Sequence, residues 1–333
     1  MGRDGQLRRP AIFASIVIVI VGVMTASTAP AFANHVSVGP TVRGNVLLYQ
    51  GAQGADQVSI SGSAGTYSVS DPHGFKAQSG CTQVSHTEAT CTGTVDLIWV
   101  RTAGGDDTAY VNSDVPAEIR GGDGNDTLIG GPEADTFIGG AGGDSMSGGG
   151  GTDAADYSRP VGSAGVRVSL DGVANDGVTG EGDNVQPDIE TVKGTQFADS
   201  FSGSKGPDTF YGLKGDDLLI GHEGNDLLVG GPGNDNLQGR AGNDTVTGGA
   251  GDDFINGDTG NDVETGGVGN DILGDVQGLD SLSGGKGDDT IDGADSAVGG
   301  PHDSDTVSCG AGTDDARVDN TDVVQSCENV TVF

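Results

Sequence analysis

The chain is poor in the materials that usually build a protein core. Aromatic residues make up 5% of its 333 positions, and basic residues number 15 against 49 acidic ones, a net charge of -34. Low hydrophobicity combined with high net charge leaves too little apolar burial to offset the entropy of ordering a chain. Either something besides a conventional core folds it, or it stays unfolded. The lack of base excludes nucleic acid as a partner, because one polyanion repels another. Catalytic signatures are missing as well: there is no HExxH, no GxSxG, and no phosphate-binding glycine loop between a strand and a helix. The five histidines, His35, His73, His86, His222 and His302, are scattered.

The apolar run from Ala11 to Val23 falls short of the roughly 20 residues that a membrane span needs. Arg3, Arg8 and Arg9 precede it, and the small residues Ala31 and Ala33 follow. This is the pattern of a secretory signal peptide cleaved before Asn34. Without residues 1–33 the chain keeps 12 basic and 48 acidic residues, a net of -36, and no transmembrane segment. Cysteine is sparse too. Cys81, Cys91, Cys309 and Cys327 include no CxxC and have no histidine at zinc spacing. In an oxidising compartment they form disulfides, and of three connectivities the local one, Cys81 with Cys91 and Cys309 with Cys327, is the simplest. Each bridge is then worth about 3 kcal/mol on the chain-entropy model.

Glycine is plentiful, with 63 residues, and it frames an acid that returns every nine positions. One unbroken register holds Asp199, Asp208, Asp217, Asp226, Asp235, Asp244, Asp253, Asp262, Asp271, Asp280 and Asp289; a shorter one holds Asp126, Asp135, Asp144 and Asp153. Two places after each acid of the long register stands an apolar residue, with Glu264 the exception. A period of nine is too long for a heptad and too regular for a linker, so it marks a structural repeat. The stretches "GGDGNDTLI" (121–129) and "GGAGDDFIN" (248–256) resemble the repeats-in-toxin (RTX, hemolysin-type) nonapeptide Gly-Gly-x-Gly-x-Asp-x-apolar-x, in a secreted, actinobacterial-like form. The resemblance implies an all-β fold, a parallel β-roll or β-helix solenoid of calcium-binding repeats with β-rich caps at both ends. In that fold six residues turn and three form a strand, so two nonapeptides complete a coil.

The residues support this independently. Glycine supplies the positive φ of tight turns, and the apolar position points its side chain into a thin core. Acids eighteen residues apart stack on one edge: Asp199, Asp217, Asp235, Asp253, Asp271 and Asp289 on one side, Asp208, Asp226, Asp244, Asp262 and Asp280 on the other. Rungs lie about 4.8 Å apart. Unit charges at ~4.8 Å repel by about 0.9 kcal/mol in water and ~3.5 kcal/mol at an effective dielectric of 20. Calcium binds oxygens at about 2.3 to 2.6 Å, so two oxygens across one ion are separated by roughly one rung. Calcium between coils, completed by turn carbonyls, converts repulsion into attraction and makes all fifteen acids candidate ligands for multiple ions. Some copies depart from the pattern: Glu133 and Phe197 replace the fourth glycine, Arg240 and Val276 replace the second, and Asp303 takes the fourth position of a degraded copy that precedes one keeping Asp314.

The organisation read from the sequence is a signal peptide (1–33), an amino-terminal β-rich cap with degenerate repeats (34–120), a first block (121–156), a longer-turned interrupting coil (157–193), a second block (194–292) and a carboxy-terminal cap of degenerate repeats and disulfide (293–333). In the cap, Asp56 and Asp107 align with the repeat acid, and Trp99 is expected in the core. In the interruption, Asp176, Glu181 and Asp183 either hold a cation or form a polar loop. The function expected is a secreted calcium-binding protein, not an enzyme, serving as a structural, adhesive or interaction module with a protein or polysaccharide partner left open. The alternative is a small calcium-dependent secreted enzyme or toxin with its site in 34–120.

Overall fold

Two residues after each repeat acid, one apolar side chain turns inward, and this single position builds most of the interior along the repeats. Leu128, Phe137, Met146, Ala155, Phe201, Phe210, Leu219, Leu228, Leu237, Val246, Ile255, Leu273, Leu282 and Ile291 are all buried. In the computed structural model, which describes residues 34–41, 44–159, 163–274, 277–294 and 304–333, every regular element is a β-strand. No helix among the described residues is long and apolar enough to cross a membrane. The signal-peptide segment, Val276, His302 and Asp303 lie outside the described residues.

The strands form parallel sheets of 15, 8 and 10 strands, and successive strands of the repeat region alternate between facing sheets. The register within a sheet is the eighteen-residue step read from the acids: Val246 pairs with Leu228 and Glu264, and Ile255 with Leu237 and Leu273. The fold is a parallel β-roll. The 15-stranded sheet contains strands from both ends of the described chain, whereas its partner changes. The 8-stranded sheet ends at Asn184–Val185, and the 10-stranded one begins with Val166–Ser169 and Gly177–Val178. The interruption in the nine-residue register is therefore where the opposing sheet is exchanged.

Strands in the second block are longer than the expected three residues. Thr245–Ala250 and Val263–Val268 each run six, because the two leading glycines and the third residue of the next repeat stay in register, Gly249 against Gly267. Gly249 takes φ 123° and Gly251 φ 135°, and a side chain on either would collide with a backbone carbonyl one coil away. At His222, Arg240 and Asp258, which replace the second glycine, the backbone keeps the left-handed turn at a strain, with φ of 82°, 88° and 74°.

The amino-terminal region joins the roll through Gly44–Gln50, Leu97–Gly104 and Ala117–Asp123, which pair in parallel. Antiparallel hairpins, His35–Thr41 with Gly44–Gln50 and Gln57–Ser63 with Thr66–Ser70, close that end. Trp99, expected in the core, sits on the outer face instead. Ile98 and Val100 on either side of it point inward, and strand alternation then sends Trp99 outward. Both local disulfides form, Cys81 with Cys91 across adjacent strands and Cys309 with Cys327 at the carboxy-terminal end.

Candidate metal site

Each repeat acid stands just before a strand, where the turn ends and the chain enters the sheet. All fifteen predicted acids are buried, none more than 4% exposed. Except in Asp208, whose Oδ1 faces the Ser204 hydroxyl, their Oδ1 atoms have a shared partner, the backbone N–H of the ladder residue one coil earlier. Asp226 N–H donates to Asp244 Oδ1 at 2.8 Å and Asp244 N–H to Asp262 Oδ1 at 2.7 Å. On the other edge Asp217 N–H donates to Asp235 Oδ1 and Asp235 N–H to Asp253 Oδ1. The columns are not bare charge: in the fold these carboxylates are tied down through one oxygen.

The second oxygen is the notable one. Oδ2 is buried without a hydrogen-bond partner in Asp126, Asp144, Asp153, Asp217, Asp226, Asp235, Asp244, Asp253, Asp262, Asp271 and Asp289. In Asp135, Asp199 and Asp208 it accepts the second-position N–H of its own turn, from Gly131, Thr195 and Ser204. Those three residues lack the positive φ of their counterparts, so their N–H groups turn toward the acid. Two of these turns are the ones in which Glu133 and Phe197 replace the fourth glycine.

The first glycine of each repeat lies against the orphaned oxygen. A methyl group on Gly212, Gly221 or Gly266 would overlap Oδ2 of Asp217, Asp226 or Asp271 and would lie 2.7 to 2.8 Å from the carbonyl oxygen of the matching glycine one coil on. A space bounded by an unpaired carboxylate oxygen and backbone carbonyls, kept open by the missing side chain, fits a hard cation that takes six or more oxygens. Among the described residues no three His, Cys, Asp or Glu side chains converge on one point, so carbonyls must supply part of any shell.

The electrostatics agree. Burial raises the carboxyl pKa of Asp217, Asp226, Asp253 and Asp262 to about 7, with the accepted backbone hydrogen bond pulling down and the neighbouring acids of the column pushing up. Asp144 reaches about 8 for the same first reason, with Asp183 prominent among its neighbours. Without a cation, these groups resist ionising at neutral pH.

The ladders extend further than the nine-residue register. Toward the amino terminus, Asp56 N–H donates to Asp107 and Asp107 N–H to Asp126. Through the interruption, Asp144 reaches Asp183 and Asp153 reaches Glu190. At the carboxy-terminal end the columns pass from Asp280 to Asp305 and Asp322, and from Asp289 to Asp314 and Glu328. An acid followed two places later by an apolar residue marks every one of these additions, and counting in nines conceals all but Asp56, Asp107 and Asp314. Asp176 and Asp183 each spend both oxygens on hydrogen bonds, Asp176 to Ser169 and Val185, Asp183 to Asp144 and Tyr157. They serve as loop anchors.

A second ladder escaped the sequence reading. The residue before each acid, often Asn or Asp, accepts through Oδ1 from the N–H of its counterpart one coil later: Asn243 N–H to Asn225, Asn261 N–H to Asn243, and Asp252 N–H to Asn234, at 2.8 to 2.9 Å. It is exposed, and it runs opposite in sense to the buried ladder.

Residues 120–154, 193–228, 229–264 and 265–297 match the family model of the RTX calcium-binding nonapeptide repeat, in four copies. No curated protein matches the chain.

Proposed function

We infer, taking as premise that this is a hemolysin-type RTX calcium-binding repeat protein, that its buried acid columns hold calcium between coils and that the chain folds as the ions bind. The observation carrying this reading is the run of orphaned Oδ2 atoms in eleven of the fifteen acids, set against the first glycine of the repeat and, at Asp217, Asp226 and Asp271 among others, beside a backbone carbonyl oxygen of the next coil. A buried charge without a partner is costly, and a divalent ion between coils removes that cost at many positions together. Ion binding and folding then become one event. The clean acid turns, from Asp217 to Asp271, are the principal ligands; Asp135, Asp199 and Asp208 contribute less because their second oxygen is already bonded.

The chain is exported by its amino-terminal signal, meets calcium outside the cell, and acts there as a structural or adhesive module without enzymatic turnover. The two disulfides fit an oxidising compartment. A calcium titration followed by far-UV circular dichroism tests the folding claim. Chelated protein is expected to be largely disordered and to gain β-structure cooperatively as calcium rises. A spectrum indifferent to strong chelator would overturn the reading.

A further inference from the structure

Arginine is scarce in this chain, yet two arginines meet on adjacent strands of the 15-stranded sheet. Arg101 and Arg120 stand opposite one another on adjacent parallel strands, an arrangement that disfavours like charges. The charge of Arg159 also acts on Arg101, less than those of Arg120 and Glu118. Glu118 answers Arg120, accepting from its Nε at 2.8 Å and from one of its amino groups. Arg101 is held differently. Its guanidinium lies over the Trp99 ring, 4.7 Å from the centroid, and its Nε is buried with no hydrogen-bond partner. A buried donor left unmade costs more than a made bond gains. Desolvation first, and then the charge of Arg120, push its proton affinity down. The Glu118 carboxylate acts on Arg101 in the opposite sense, but it is bonded to Arg120, and among the described residues Arg101 has no carboxylate hydrogen-bonded to it.

We propose that Arg101 and Arg120 form a binding site for one oxyanion group, a carboxylate or sulfate carried on an otherwise uncharged molecule such as a largely neutral glycan, with the exposed Arg159 adding to their positive field. A guanidinium is planar and donates in a fork that matches either group. Trp99 fixes the plane of Arg101 by a cation–π contact, which leaves the edge of the fork for the ligand. The rest of the molecule sets the selectivity. A net charge of -34 repels a dense polyanion at long range, whereas an isolated acidic group reaches the paired arginines with little opposition.

The test is isothermal titration of the calcium-loaded chain, with its fold first verified by circular dichroism so that failure to fold and failure to bind are distinguished. Sodium glucuronate and sodium sulfate are titrated separately at low ionic strength. Saturable binding of either at one site per chain is expected; glucuronate alone assigns a planar carboxylate, sulfate alone a tetrahedral group, and both the shared oxyanion chemistry. Arg101→Gln should weaken binding at least about tenfold, Arg101→Lys less, and the exposed Arg159→Gln should also weaken it, while Lys205→Gln leaves it unchanged. Absence of binding by both anions, or a folded Arg101→Gln chain that binds as well as the parent, overturns the site. A dense sulfated polysaccharide binding more tightly than glucuronate overturns the selectivity.

Discussion

A carboxylate bonded through one oxygen and bare at the other behaves differently from one bonded through both, and this divides the repeat acids into two groups. Asp244 has the orphaned Oδ2, whereas Asp199 spends its Oδ2 on Thr195 N–H. Calcium calorimetry should therefore show Asp244→Ala losing about tenfold or more in affinity at its site, worth roughly 1.4 kcal/mol, and Asp199→Ala losing distinctly less. Equal losses would refute the division. Glu264 presents the opposite problem. It occupies the inward apolar position, fully buried, with Oε1 accepting from Gly257 N–H and Oε2 unpartnered, and burial drives its pKa well above the usual carboxylate range. Leu228, Val246 and Leu282 stand in the same sheet column. Replacing Glu264 by Leu removes a buried polar group and should raise the melting temperature by a few degrees, on the order of 2 °C per kcal/mol for a chain of this size. A lower melting temperature would mean that the carboxyl holds something in place.

Strands and turns were legible in the sequence wherever one residue type has one reason to recur. The apolar position and the repeat acid gave the coil, the two edges and the eighteen-residue register, because each is fixed by burial or by the pleat. Trp99 was misplaced because bulk and apolarity were weighed while the alternation of Ile98 and Val100 was not. The exposed Asn and Asp ladder passed unnoticed because those residues also suit ordinary turns, so the pattern carries little information until the coils are stacked. The caps hide for another reason: seven residues are inserted between Asp280 and Asp305, and the nine-residue count fails although the ladder bond is intact. The terminal coil there is held by Cys309–Cys327. Changing both cysteines to serine should cost about 2 to 3 kcal/mol and should speed hydrogen exchange in Thr306–Ala311 while leaving Thr245–Ala250 protected. Uniform exchange along the roll would show that the bridge is not a local clamp.

For the molecule as a whole, acid and calcium should act on the same oxygens. The carboxyls of Asp217, Asp226, Asp253 and Asp262 are raised in the folded chain to about 7, from an ordinary value of 3.8. Between those two values the folded state binds more protons than the unfolded one, so the contribution of protonation is complete below about pH 4 and is lost as pH rises through about 7. Calcium-free protein should accordingly show more β-structure near pH 5 than near pH 7.5, and apparent calcium affinity should fall on acidification as protons compete. A calcium-free chain that unfolds on acidification would contradict the first, and an apparent affinity that rises on acidification the second. The direction of the buried ladder has its own consequence. With the exception of Asp208, the acids reach back to an amide of the coil before, so a column can open on a residue that has only an N–H to offer, as Ala117 and Val166 do, and close on an acid, as Asp322 and Glu328 do. Genetic duplication or loss of eighteen residues inside a block then leaves both ends chemically complete, whereas a change of nine exchanges one edge for the other and strands the terminus. Length in such a molecule is free to drift in whole coils.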